Sequence, residues 1–138
     1  MSSYLSIYIV PKREYKGEEK KYIRLTAYSR NTYIYKYFND IINPTYAGIE
    51  DKYTSLTKNS VSMVLTSFKE EIDSAKKRLL EYEKYAINNS DYINEIIELK
   101  EYIEDLQYWK DKTSFIQDLI DDIDYTNNEI EEVCCNID

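Results

Sequence analysis

Histidine is absent from the 138 residues, and glycine, proline and cysteine number two each. Without histidine there is no histidine-based triad, proton shuttle or zinc site. Two glycines cannot build a phosphate-cradling loop or a nucleophile elbow. The two cysteines are adjacent, Cys134-Cys135. They make neither a C-x-x-C site nor a disulfide framework, and read as reduced, packed thiols. No apolar run approaches the roughly 20 residues of a spanning helix. The opening MSSYLSIYIVPKRE has no basic stretch before its apolar run, so it is a poor signal peptide. These absences predict a cytoplasmic protein with no membrane association, no cofactor, no metal and no catalytic residue, hence not an enzyme.

What is abundant is as informative. Ile, Lys, Tyr and Asn supply 58 residues. All four have AT-rich codons, which suits a low-GC bacterium or a phage or mobile element within one. The net charge of −8 is split unevenly. Residues 1–90 carry 15 basic and 11 acidic side chains, whereas residues 91–138 carry 3 and 15. Such a split marks a charged interaction surface or an acidic tail.

Period-2 patterns come first along the chain. YLSIYIV at 4–10 and YIRLTAY at 22–28 flank a polar loop holding Gly17, which predicts an antiparallel hairpin. NTYIYKYFND follows, with Tyr33, Tyr35 and Tyr37 at a strand's spacing. Ile34, Tyr37, Phe38, Ile41 and Ile42, however, make one helical face, and Pro44 lies just past its end. A helix over 31–42, capped by Ser29 or Asn31, is therefore expected, with Tyr33 and Tyr35 off its buried face. Residues 44–56 read as a connector with a turn at Ala47-Gly48.

Thr57 is a good N-cap, and Leu56 and Val61 suit a hydrophobic staple. Leu65, Phe68, Ile72, Ala75, Leu79, Tyr82 and Ala86 then step by three and four. After Asn88-Asn89-Ser90, where Ser90 can cap, Tyr92, Ile96, Leu99, Ile103 and Leu106 do the same. Both are coiled-coil seams. Paired antiparallel at a constant sum of residue numbers, they set small Ala75 and Ala86 against larger partners. The seam continues at Trp109, Thr113, Ile116, Ile120 and Ile123 after a three-residue slip, which predicts a kink near 110–114. Ser114/Gln117 and Thr126/Glu129 are possible capping boxes, and a short final helix over 127–136 is expected.

The fold class expected is α+β, mostly α: an N-terminal antiparallel β-hairpin and short helix (1–43) packed with a long antiparallel, coiled-coil-like helical hairpin (57–138), in a single domain.

Two constellations bear on function. Asp118, Asp121, Asp122, Asp124, Glu129, Glu131 and Glu132 crowd one segment without calcium-loop spacing. They read as a solvated acidic face or one that meets a basic protein. Asp91, Glu95, Glu98, Glu101, Glu104 and Asp105 extend the charge outside the seam, and a long acidic rod could imitate nucleic-acid phosphate rows. Ten of the sixteen tyrosines precede residue 54, among Lys12, Arg13, Lys16, Lys20 and Lys21. They suit strand packing, a protein interface or, less well, base stacking on nucleic acid. Tyr85, Ile93, Ile97 and Tyr108 lie beside the seam and would be covered by a homodimer. The function expected is a non-enzymatic protein-binding accessory protein of a phage or mobile element. It would inhibit or adapt a host protein through Tyr33, Tyr35 and the acidic cluster. The alternatives are nucleic-acid binding through the basic half, or a structural or assembly subunit.

Overall fold

The computed structural model describes residues 3–47, 52–125 and 129–138, without the side chains of residues 124 and 125. The fold is α+β and mostly α. In chain order it comprises β1 (Tyr4–Pro11), β2 (Ile23–Ser29), α1 (Tyr33–Ile41), β3 (Thr54–Ser55), α2 (Lys58–Ala86), a 3₁₀ turn (Ser90–Tyr92), α3 (Ile93–Tyr125) and β4 (Ile130–Ile137). The strands form an antiparallel sheet in the order β2-β1-β4-β3.

The expected hairpin is present as β1–β2, with Gly17 in its loop at φ 103°, where glycine alone is unstrained. Near its middle the register shifts. Ile7 opposes Thr26 and Tyr8 opposes Arg24, so Leu25 is an extra, bulged residue.

β4 overturns the expected final helix over 127–136. Ile130–Ile137 is a strand paired with both β1 and β3. The capping pair that suggested a helix begins at residue 126, outside the described residues. The residues themselves, IEEVCCNI, alternate well enough to serve a sheet. Val133, Cys135 and Ile137 sit opposite Ile9, Ile7 and Leu5 of β1. β1 supplies the physical reason. Leu5, Ser6, Ile7 and Val10 are all fully buried, so β1 is a central strand that needs a neighbour on each edge. The connector over 44–56 contributes a short strand of its own, β3, and Thr45 closes it by hydrogen bonds to Thr54 and to the Lys52 carbonyl. The turn at Ala47-Gly48 falls partly outside the described residues.

α1 confirms the helical choice for the tyrosine stretch, with Ile34 and Phe38 fully buried. Its cap is Thr32, not Ser29 or Asn31: the Thr32 hydroxyl accepts from the Tyr35 amide at 3.3 Å. Asn43 ends the helix at φ 53°, with its N–H reaching back to the Phe38 carbonyl at 3.1 Å.

Thr57 caps α2 through a reciprocal box with Ser60, and Leu56 and Val61 are buried beside it. The two long helices pack antiparallel as the seams predict. Lys58 meets Asp121 (3.6 Å) at one end, and Tyr82 stacks on Tyr92 (5.9 Å) at the other. Asn89, rather than Ser90, caps the turn between them. The helix does not end at the slip near 110–114: α3 is continuous over Ile93–Tyr125. The slip marks a change of neighbour. Beyond Leu106 the helix gains the sheet, with Trp109 edge-on to Tyr28 of β2 (5.5 Å). Its apolar face rotates toward that sheet, and Thr113 stays buried by donating to the Trp109 carbonyl (2.9 Å).

One face of the sheet and helices α1, α2 and α3 share a core that runs through Leu5, Ile7, Phe38, Val64, Phe68, Leu106, Ile116 and Val133. On the other face Tyr8 packs edge-on against Tyr53 (4.9 Å), which stacks on Tyr22 (3.7 Å).

Candidate functional site

The acidic segment does not form one face. Asp118, Asp121 and Asp122 lie on the last turns of α3, where Asp121 is half-buried and meets Lys58. Asp124 is on the same helix, but its side chain lies outside the described residues. Glu131 and Glu132 are on β4, Glu131 with Arg13 (3.1 Å) and Glu132 with Lys20 (3.0 Å). The hydrogen bond to Glu132 is the main reason that the Lys20 ammonium titrates above its usual range. Glu129 is exposed at the start of this segment. The sequence thus places seven carboxylates together, but the fold divides them between a helix end and a strand.

The basic half is changed by the same contacts. Arg13 and Lys20 fasten the β1–β2 loop to β4, so part of the cationic surface is neutralised within the chain. The early tyrosines are largely used in packing: Tyr8, Tyr22 and Tyr53 on the outer sheet face, Tyr28 on Trp109, Tyr37 on Phe68 (4.5 Å). Burial raises the phenol pKa values of Tyr28 and Tyr37.

Unpaired negative charge gathers elsewhere. Between α1 and the middle of α3 lies an open groove of about 590 Å³, lined by Tyr33, Tyr102, Tyr108, Glu98, Glu101, Glu104 and Asp105. Local helix geometry makes it. Residues 98, 101, 102, 105 and 108 recur at three and four, so carboxylates and rings share one strip of α3. α1 supplies the opposite wall through Tyr33, edge-on to Tyr102 at 5.6 Å. Tyr102 is fixed from behind: its hydroxyl donates to Glu71 of α2 (2.8 Å), which also accepts from Arg78 (3.1 Å). Burial first, then that bond to Glu71, hold the Tyr102 phenol far above its ordinary value. No cationic side chain lines this groove, and its four carboxylates have no ion pair among the described residues. Carboxylates beside aromatic rings suit a guanidinium or ammonium group, by charge and by cation–π attraction.

Tyr33 therefore belongs to a candidate site, in company that sequence reasoning did not assign to it. Tyr35 is half-buried and borders a second hollow with Arg30, Lys36 and Asp40. Tyr102 was missed because it lies beside the seam. The signal was a tyrosine ladder interleaved with acids at helical spacing. Of the suggested dimer residues, Tyr85 (60 % exposed), Ile93 and Ile97 (50 % each) are exposed toward the tip end of the hairpin, as are Leu80 and Ile87. Tyr108 does not: eleven residues past Ile97, it is about 16 Å further along α3. It borders the acidic groove and carries Lys112 at 5.3 Å from its ring.

Among the described residues, no group of three or more acids and cysteines is placed to hold a metal ion. Both cysteines are buried, and burial pushes each thiol up to about 12. Neither has the low-pKa, accessible character of a reactive thiol. No helix among the described residues is long and apolar enough to cross a membrane. No protein-family model, curated protein or solved structure matches the chain.

Proposed function

We propose that this chain is a non-enzymatic protein-binding accessory protein whose groove between α1 and α3 takes a basic segment of a partner protein. The supporting observation is the groove itself: four unpaired carboxylates and three tyrosines, with no lining cation. Complementary charge speeds encounter and selects basic partners over acidic ones, while the rings add contact area at low entropic cost. An origin in a phage or mobile element, and action as an inhibitor or adaptor in a bacterial cytoplasm, rest on the AT-rich residue usage and the acidity. A homodimer through the exposed hairpin tip remains part of this proposal, with its Ile97 edge adjoining Glu98 of the groove.

Titration with a labelled arginine-rich peptide at low and high salt tests the proposal. Salt-sensitive binding is expected, and the fourfold variant Glu98→Gln, Glu101→Gln, Glu104→Gln, Asp105→Asn is expected to lose most of it. Equal affinity of wild type and variant would refute the assignment. Tight binding to an oligonucleotide, with none to the peptide, would favour the nucleic-acid alternative.

A further inference from the structure

The acidic groove does not stop at Tyr108. The same residue borders a second, apolar groove of about 690 Å³, walled by Ile7, Leu25, Thr26 and Tyr28 of the sheet and by Tyr108, Phe115, Ile116 and Leu119 of α3. Asp111 and Lys112 complete its lining. Phe115 is 59 % exposed, and Leu25, Tyr108 and Ile23 are each about half open to solvent. The bulge explains Leu25. As the residue outside the β1–β2 ladder, it joins Thr26 in facing the groove instead of alternating away. The groove lies beneath an unfinished sheet. β2 is the terminal strand, pairing with β1 alone, so its outer backbone N–H and C=O groups have no partner strand among the described residues.

The chain direction along this strip is fixed by the fold. Ile23, at the start of β2, pairs with Ile9, near the Pro11–Ile130 end of the sheet to which α3 leads. Ser29, at its end, leads into α1, where Tyr33 meets Tyr102. β2 therefore runs from the apolar groove toward the acidic one. Every strand pair in this sheet is antiparallel. A strand added antiparallel to β2 would enter at the acidic end and leave at the apolar end. Glu98 to Leu119 spans about 30 Å of helix, the length of roughly nine extended residues.

We infer that the partner segment binds as an added strand on the free edge of β2, with basic residues in its N-terminal half over Glu98–Asp105 and alternating bulky apolar residues in its C-terminal half over Leu25 and Phe115. The inference rests on the proposed basic partner and adds its conformation, order and second anchoring site. Strand addition satisfies the edge backbone groups, and alternate side chains fill the groove. Charge complementarity at one end fixes which way the segment lies.

Three synthetic peptides test it by calorimetric titration of the full chain. One has arginines followed by alternating leucines, the second has the reverse order, and the third contains arginines without leucines. The forward peptide is expected to bind about tenfold or more tighter than either other. Leu25→Asp and, separately, the exposed Phe115→Asp are expected to abolish that advantage while leaving the arginine-only affinity intact. Amide exchange in β2 is expected to slow with the forward peptide alone. Equal affinity of forward and reverse orders, or of forward and arginine-only peptides, overturns strand addition and leaves the basic-partner proposal standing. Failure of all three peptides to bind overturns both.

Discussion

The two ends of the helical hairpin are built from similar seams but have different surroundings. At the base, near the sheet, Val61, Val64, Phe68, Ile72 and Ala75 of α2 are buried, as are Leu99, Ile103, Leu106, Ile116 and Ile120 of α3. At the tip Leu79, Tyr82, Tyr92 and Ile96 are only half-buried, and Leu80, Tyr85, Ile93 and Ile97 are exposed. The difference is the number of neighbours. The base has α1 and the sheet against it, whereas the tip has only the partner helix. A two-helix seam shields one side of each helix, and a third layer is needed to complete a core. Between these regimes lies the middle of α3, where α1 covers one flank and leaves the acidic groove open.

The largest expected effect tests the base. Phe68 is fully buried and edge-on to Tyr37, so Phe68→Ala is expected to cost about 3–5 kcal/mol in denaturant unfolding. At the tip Leu80→Ala is expected to change stability by less than about 0.5 kcal/mol. Similar losses at both sites would erase the distinction.

The second prediction concerns β4. Each thiol ordinarily ionises near 9 but is held up to about 12 in the fold. The folded state thus keeps its protons where the unfolded chain releases them. The stability this contributes is complete below pH 9 and is lost as pH rises between 9 and 12. The slope is about 1.4 kcal/mol per pH unit per thiol. In the double variant Cys134→Ala, Cys135→Ala the alkaline slope is expected to flatten, with a remainder from Tyr28, Tyr37 and Tyr102, whose phenols are also raised. An unchanged slope would place the cysteines outside the buried strand.

Smaller again is the stability effect of the fourfold neutralisation in the groove. Removing like charges from one helical strip is expected to leave stability unchanged or slightly raised, while binding of a basic peptide falls about tenfold. Smallest are the loop fasteners. Arg13→Ala and Lys20→Ala break exposed pairs and are each expected to lower stability only slightly, a loss that added salt would mask.

The parts of this fold legible in the sequence were those set by local period. The seams, the Thr57 cap, the β1–β2 hairpin and the helical nature of NTYIYKYFND all follow from spacings within one or two turns. β4 was not legible, because its strand character depends on β1, more than a hundred residues away. IEEVCCNI is short and acid-rich at one end, and becomes a strand because β1 is buried on both faces. The acidic cluster failed for the same reason. Glu131 and Glu132 are adjacent to the α3 acids in sequence, yet strand pairing carries them to Arg13 and Lys20. The groove was half legible: the acids on α3 stood out, but only the packing of α1 shows that Tyr33 faces Tyr102 among them.

The central claim is that partner binding belongs to the half-covered middle of α3 and not to the tip. The direct measurement is a map of amide shifts in isotope-labelled protein titrated with an arginine-rich peptide. The account predicts saturable changes at Tyr33 and across Glu98–Tyr108, with the tip residues Tyr85 and Ile93 unmoved. Changes confined to the tip, or no saturable change anywhere, would contradict it.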